Sequence, residues 1–171
     1  MTLQKSLQLA LLILAFIGGI YVQTSKHKEI QAVEPELQEQ EYVVVDEETT
    51  RKIKAYLKSK NSPLETYAGI FNFVGSKYDI DPMLLTAISG VESSFGKYMP
   101  VGSKNPFGIG GSNLVYYDSY IQAIDSLGKT LRKPYYRKWH ETGELSDLAA
   151  VYCERSQHWQ DTVNYFLEEM K

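Results

Sequence analysis

Asp81-Pro82-Met83-Leu84-Leu85-Thr86-Ala87-Ile88-Ser89-Gly90-Val91-Glu92-Ser93-Ser94-Phe95-Gly96 is the stretch from which the fold can be read. Asp81 is a good N-cap, and Pro82 stands at the first helical position, where its missing N–H costs nothing. Gly96 offers a C-terminal stop. At 3.6 residues per turn, Leu84, Ile88, Val91 and Phe95 share one face, with Leu85 and Glu92 toward its margins. The spacing predicts a short capped helix with one carboxylate, Glu92, inside the buried arc beside Ile88. Desolvation and the negative end of the helix dipole both disfavour a charged carboxylate there, so its pKa is expected to rise. A carboxyl group that keeps its proton near neutral pH can give it to a leaving-group oxygen. The pattern leaves one alternative open, a Glu turned out to solvent or paired with a nearby Lys.

The flanking segments also read as helices, so the fold class is mainly α. Thr49 or Thr50 can cap a helix carrying Ile53, Tyr56 and Leu57. Ser62-Pro63-Leu64-Glu65 has the form of a capping box and opens a helix to about Tyr78. Ser119 opens another through Ile124 and Leu131, which must end before Pro134. Ser146 can cap Leu148 to Tyr152, and a last helix carries Trp159, Val163, Phe166, Leu167 and Met170. One long irregular stretch remains, residues 97–118, with Gly102, Gly108, Gly110 and Gly111 and a possible short strand at Leu114-Val115-Tyr116-Tyr117. Loops of that length in compact domains are usually functional or mobile. Trp139 and Trp159 read as core residues. Tyr98, Tyr116 and Tyr117, in and after the loop, have the flat apolar faces and polar tips that suit stacking on sugar rings.

Length and charge divide the 171-residue chain into three parts. Leu7 to Val22 is uncharged with a single amide, Gln8, close to the short limit for a membrane span. Residues 1–25 are therefore expected to be a membrane anchor, a cleaved signal peptide being the competing reading, although no Ala-x-Ala-like site follows. Residues 23–50 carry two Lys against eight Asp and Glu, a net charge of −6, while residues 51–171 carry 15 Lys and Arg against 13 acids, a net charge of +2. An acidic linker at 26–48 and a folded domain at 49–171 follow, with the domain placed outside the cytoplasm, periplasmic or facing the cell wall. A slightly basic domain suits an anionic polymer, but no basic stripe or motif points to nucleic acid. Cys153, the single cysteine, cannot form an intramolecular disulfide and reads as a small buried apolar residue, a free thiol being the other reading. His27, His140 and His158 lack ligand-like spacing, so neither a metal nor a cofactor is expected. Neither Ser93 nor Cys153 sits in a nucleophile elbow.

Taken together, Glu92, the glycine-rich loop and Tyr152 resemble the lysozyme-like superfamily of peptidoglycan-cleaving enzymes, over about Pro63 to Met170. Tyr78-Asp79-Ile80-Asp81-Pro82 through Glu92-Ser93-Ser94-Phe95 resembles the first motif of soluble lytic transglycosylases, in which Glu followed by Ser marks the catalytic acid. Asn105-Pro106-Phe107-Gly108-Ile109-Gly110-Gly111 is similar to the Asn-Leu-Phe-Gly-Ile segment of flagellar and autolysin-type endo-β-N-acetylglucosaminidases. Asp118-Ser119-Tyr120 with Ala123-Ile124 is similar to a stretch of that same group, and Ala149-Ala150-Val151-Tyr152 to the late Ala-Tyr motif of the transglycosylases. Two departures stand out: Gly110 occupies the place of the transglycosylase Gln, and Cys153 that of an Asn.

The resemblance implies a lysozyme-like helical domain whose glycine-rich loop or small β-hairpin lines a substrate groove. It implies Glu92 as general acid and base, with Ser93, Asn105, Phe107, Gly108, Ile109, Tyr117 and Tyr152 around the glycan strand of peptidoglycan. Tyr152 would orient Glu92 or stabilise a cationic transition state. Asp118 is the best placed second acid for hydrolysis, although an Asp just before Ser119 is also an ordinary capping-region residue. Three outcomes stay open: a lytic transglycosylase, a hydrolytic glucosaminidase or muramidase, and a tethered binding module without turnover.

Overall fold

The computed structural model describes residues 46–153 and 156–171, so the expected anchor at 1–25 and the acidic linker before residue 46 lie outside the described residues. Asp46 opens the first helix, α1 (Glu47–Ser59), by accepting from the N–H groups of Glu48 and Thr49. The helix thus begins inside the acidic stretch. Thr49, one of the two expected caps, gives its own hydroxyl hydrogen to Asp46 Oδ2 at 2.6 Å. The capping box expected at Ser62 and Glu65 is replaced by another arrangement. Ser62 Oγ accepts from the Leu64 N–H and donates to the Phe95 carbonyl, so the chain makes a 3-10 turn, Glu65–Tyr67, before α2 (Ala68–Tyr78).

A three-residue turn then folds the chain back. Asp79 is left-handed, and the Ile80 N–H reaches Gly75 O at 2.9 Å while the Asp79 N–H reaches Ser76 O at 3.4 Å, the Schellman ending of a helix. Asp81 at once caps α3 (Pro82–Ser93), accepting from the Met83 N–H at 2.8 Å. α3 is the centre of the domain and packs chiefly against α2 and the last helix, with α1 and α4 also in contact. Leu84 through Gly90 are all buried, and Leu85, Ala87 and Ile88 expose nothing. Each large apolar side chain so placed contributes about 1.5–3 kcal/mol.

The helix stops earlier than Gly96. Ser94 and Phe95 take positive φ, 49° and 60°, and Gly96 follows at 81°. Such angles are unfavourable for residues with a Cβ. Here the Phe95 ring is buried between Tyr56 and Phe166, with centroids at 5.5 and 4.9 Å, and that packing holds the turn.

Ser119 caps α4 (Tyr120–Leu131) as expected, by accepting from the Gln122 N–H. A 3-10 turn, Pro134–Tyr136, leads to α5 (Arg137–Thr142) and α6 (Leu145–Tyr152). α6 begins at Glu144 with no side-chain cap, so Ser146 lies within its first turn and does not start it. Ser156 caps α7 (Gln157–Met170). The strand anticipated at 114–117 does not form. Val115 and Tyr117 bond instead to Ile109 O and Ser103 O, and no strand occurs among the described residues. No helix among them is long and apolar enough to cross a membrane.

Glu169 ties α7 to α1. Its Oε2 accepts from Tyr56 Oη and Lys60 Nζ, both at 2.8 Å, and its Oε1 from Tyr165 Oη at 2.8 Å. Lys60 first, then the two phenols, holds the carboxyl down to about 2 from an ordinary 4.5. A depressed carboxylate stabilises the fold above its unfolded pKa and loses that contribution as pH falls through the folded value. Glu169→Gln is expected to lower Tm at neutral pH, with the gap to the parent chain closing between about pH 4.5 and 2. Thermal melts of both chains across that range check this.

Candidate active site

Glu92 lies on the last turn of α3, where the helix leaves the core. The helix is buried all round through Gly90, so rotational phase does not decide which residues are hidden; position along the axis does. Val91 is half-buried and Glu92 is exposed, a correction to the expectation that Glu92 sits inside the buried arc. Its carboxyl group nevertheless has a neighbour on each of two sides. Trp159 Nε1–H of α7 donates to Oε1 at 2.9 Å. Gly108 lies on the other side, where a Cβ would stand 3.5 Å from Oε2. Burial raises the Glu92 pKa, and the Trp159 hydrogen bond partly opposes that by stabilising the charged form. Among the described residues no neighbouring carboxylate contributes to the shift.

The loop is brought to Glu92 by its own backbone. Ser93, next to the acid, is buried and directs its hydroxyl at the Pro106 carbonyl (2.8 Å) and the Ser89 carbonyl (3.0 Å), while accepting from the Gly96 N–H. Phe107 is 2 % exposed, with its ring edge-on to Phe71 in the core. Its carbonyl accepts from Tyr152 Oη at 3.1 Å. Asn105, also 2 % exposed, closes the loop on itself: Nδ2 donates to Ile109 O and Val115 O, and Oδ1 accepts from the Ile109 N–H. Ser93, Asn105 and Phe107 were candidates for touching substrate, but their side chains are committed to holding the loop. They supply position, and Gly108, exposed at φ +62°, is the residue they present.

Tyr152 is half-buried and stacks obliquely on Trp159 with centroids 5.5 Å apart. Burial pushes its hydroxyl well above the usual phenol range, and the charge of Glu92 adds to that. It therefore stays neutral, and it feels Glu92 through the field, its own hydrogen bond going to the Phe107 carbonyl. Tyr117 donates to Ser126 Oγ at 2.8 Å, so its tip is tied to α4. Tyr98 and Tyr116 stand free of the core at 76 % and 63 % exposure and can offer a face to a ligand. Ile109 is half-buried with its backbone spent on Asn105 and Val115. Asp118 has the capping-region place that its sequence position allows: its N–H bonds to Gln122 Oε1 and its carbonyl to Lys104 Nζ. Gly110 is fixed as glycine by φ +103° and by Asn113 O, which a Cβ would meet at 2.4 Å. A glutamine cannot occupy that position in this loop. Cys153 is half-buried, with Sγ on Ala149 O and its thiol pushed up by burial.

Sequence reasoning assigned Trp159 to the core alone. It is core, at 5 % exposure, and it is also the hydrogen-bond partner of the acid 67 positions away. The available signal was that a buried indole N–H needs an acceptor. A cavity of about 580 Å³ lies elsewhere, bordered by Asp81, Leu84, Arg132, Trp139 and His140, and Glu92 does not line it. Asp81 and Glu92 stand at opposite ends of α3, roughly 16 Å apart at 1.5 Å per residue. Among the described residues no cluster of three His, Cys, Asp or Glu side chains is placed to hold a metal ion. Comparison with protein-family models, curated proteins and solved structures gives no significant match.

A raised carboxyl pKa means that the native state holds a proton the unfolded chain has already released, so stability falls as pH rises above the ordinary value of 4.5. Glu92→Gln keeps an acceptor for Trp159 and removes the charge. Its Tm is expected to match the parent chain in acid and to exceed it at pH 7, as thermal melts at the two pH values will show.

Proposed function

We propose that this chain cleaves β-1,4 glycosidic bonds in the glycan strands of peptidoglycan, with Glu92 as general acid and base, as a lytic transglycosylase. The observation that carries the proposal is a carboxyl group with a raised pKa and, among the described residues, no carboxylate contributing to that shift, open to solvent on one side and faced by a glycine that leaves room at Oε2. The order of Glu92-Ser93, the Asn105–Gly111 loop and Tyr152 supports the same reading. In the proposed reaction Glu92 gives its proton to the glycosidic oxygen as the C1–O bond breaks. The carboxylate then takes the proton of the muramyl C6 hydroxyl, whose oxygen bonds to C1 and closes an anhydro ring. No water is consumed, so no second carboxylate is required. Hydrolysis by a carboxylate pair would need a partner at about 5 Å or 6.5–9.5 Å. Tyr152, neutral and close to Glu92, would support positive charge at C1 with the lone pairs of its oxygen. The exposed Tyr98 and Tyr116 would stack on sugar rings.

A hydrolytic endo-β-N-acetylglucosaminidase is the second reading, favoured by the Asn105-Pro106-Phe107-Gly108-Ile109 segment and by glycine at position 110. The proposal places the domain outside the cytoplasm, tethered by residues 1–25, with peptidoglycan as its partner. Purified cell walls digested with the full-length chain and examined by mass spectrometry test it. Anhydro-muramic ends are expected, and reducing glucosamine ends would support the second reading. Glu92→Gln is expected to lower release by at least 100-fold, on the scale of a lost general acid. Saccharide binding without any release by the parent chain would mean a binding module instead.

A further inference from the structure

The two oxygens of Glu92 have different surroundings, and that difference has a chemical consequence. Trp159 Nε1–H lies 2.9 Å from Oε1. An indole nitrogen is a donor only, so this bond exists solely while Oε1 is an acceptor. A proton on Oε1 pointing at the indole would set hydrogen against hydrogen. It would also strand the N–H of a residue that is 5 % exposed, and a buried donor left without an acceptor is destabilising. The carbonyl oxygen is the better acceptor of a carboxylic acid, so in the neutral acid the indole favours Oε1 as the carbonyl oxygen and the proton on Oε2. Oε2 is the oxygen beside Gly108, where the missing Cβ leaves open space.

We propose that Trp159 is a positioning residue that assigns the oxygens of Glu92 separate tasks: Oε1 is anchored as an acceptor in both protonation states, and Oε2 carries the transferable proton toward a substrate oxygen over Gly108. The assignment rests on Glu92 being the general acid. It adds which oxygen reacts, from which side, and what fixes the plane of the carboxyl group. Among the described residues, the polar side chains of Tyr152 and Cys153 are bonded elsewhere and do not compete for Oε2. Tyr152 donates to Phe107 O and Cys153 to Ala149 O. Both feel the charge of Glu92, and burial keeps both neutral near pH 7. The loop presents Gly108 and α7 presents Trp159, neither of which titrates. Burial raises the Glu92 carboxyl above its ordinary range, and the indole bond opposes that.

Losing the indole N–H removes a bond that favours the charged carboxylate, so Glu92 must hold its proton to higher pH. Two replacements in the full-length chain test this: Trp159→Phe, and benzothienylalanine at position 159, which keeps the bicyclic shape with sulfur in place of N–H. Both are expected to move the alkaline limb of the pH–rate profile on cell walls upward. Both are expected to lower the maximal rate about 10- to 100-fold, because the carboxyl plane is no longer held. Titration of the Glu92 carboxyl carbon by NMR, which needs no substrate, is expected to shift in the same direction. The benzothienylalanine chain guards against a Trp159→Phe protein that fails to fold. An unmoved limb together with an unmoved Glu92 titration in that chain would overturn the role of Trp159 while leaving the general acid in place. Activity that survives Glu92→Gln would instead overturn the reading on which it rests.

Discussion

The candidate site depends on two carbonyl groups being held in place. The glycine-rich loop has no secondary structure of its own beyond one 3-10 turn, Gly111–Asn113, yet it must bring Gly108 to face the Glu92 carboxyl group. Ser93 Oγ takes the Pro106 carbonyl and Tyr152 Oη takes the next one, Phe107, while the Phe107 ring is sunk against Phe71. α3, α6 and the core thus grip two consecutive residues, and Gly108 follows with little freedom to move. Buried hydrogen bonds of this kind contribute about 1 kcal/mol each when made and cost about 1–3 kcal/mol when one partner is lost. Gly108, exposed beside Glu92, owes its position to residues that are themselves buried.

Glu92 is tuned by opposition. Packing at the end of α3 makes the charged form costly, and the Trp159 indole returns part of that cost by donating to Oε1. Burial alone would leave an acid reluctant ever to release its proton; a strong ion pair would leave one that never holds it. A single neutral donor sits between these limits, which suits a group that must give a proton and then take one back. Trp159 also packs obliquely on Tyr152, so the group that steers the acid and the group that holds the loop share one aromatic stack. Damage to either is therefore expected to reach the other.

Much of the fold could be read from local sequence. Asp81-Pro82 and Ser119 start α3 and α4 where their chemistry predicts, because an N-cap satisfies donors within three residues and needs nothing distant. Starts that involve distant partners were less legible. The Ser62 hydroxyl bonds to Phe95 O, 33 residues on, so the capping box there is not made. α3 ends at Ser93 because the Phe95 ring is claimed by Tyr56 and Phe166, and no local rule places positive φ on Ser94 and Phe95. Glu92 was identifiable as an acid among apolar residues, but its exposure was not, since a helix buried on every side gives no phase to read. Asn105 and Ser93 drew notice as polar residues in a motif, and nothing in a motif distinguishes a side chain that meets a ligand from one that shapes the loop. Trp159 was hidden for the plainest reason: its partner is on another helix.

Digestion of glycan strands in ¹⁸O-enriched water by the full-length chain, with Glu92→Gln alongside, tests most directly whether Glu92 works as a lone general acid. Ring closure by one carboxyl group takes no oxygen from water, so the new ends should form only with Glu92 present and should carry no label. Label in every new end, or undiminished release by Glu92→Gln, would contradict it.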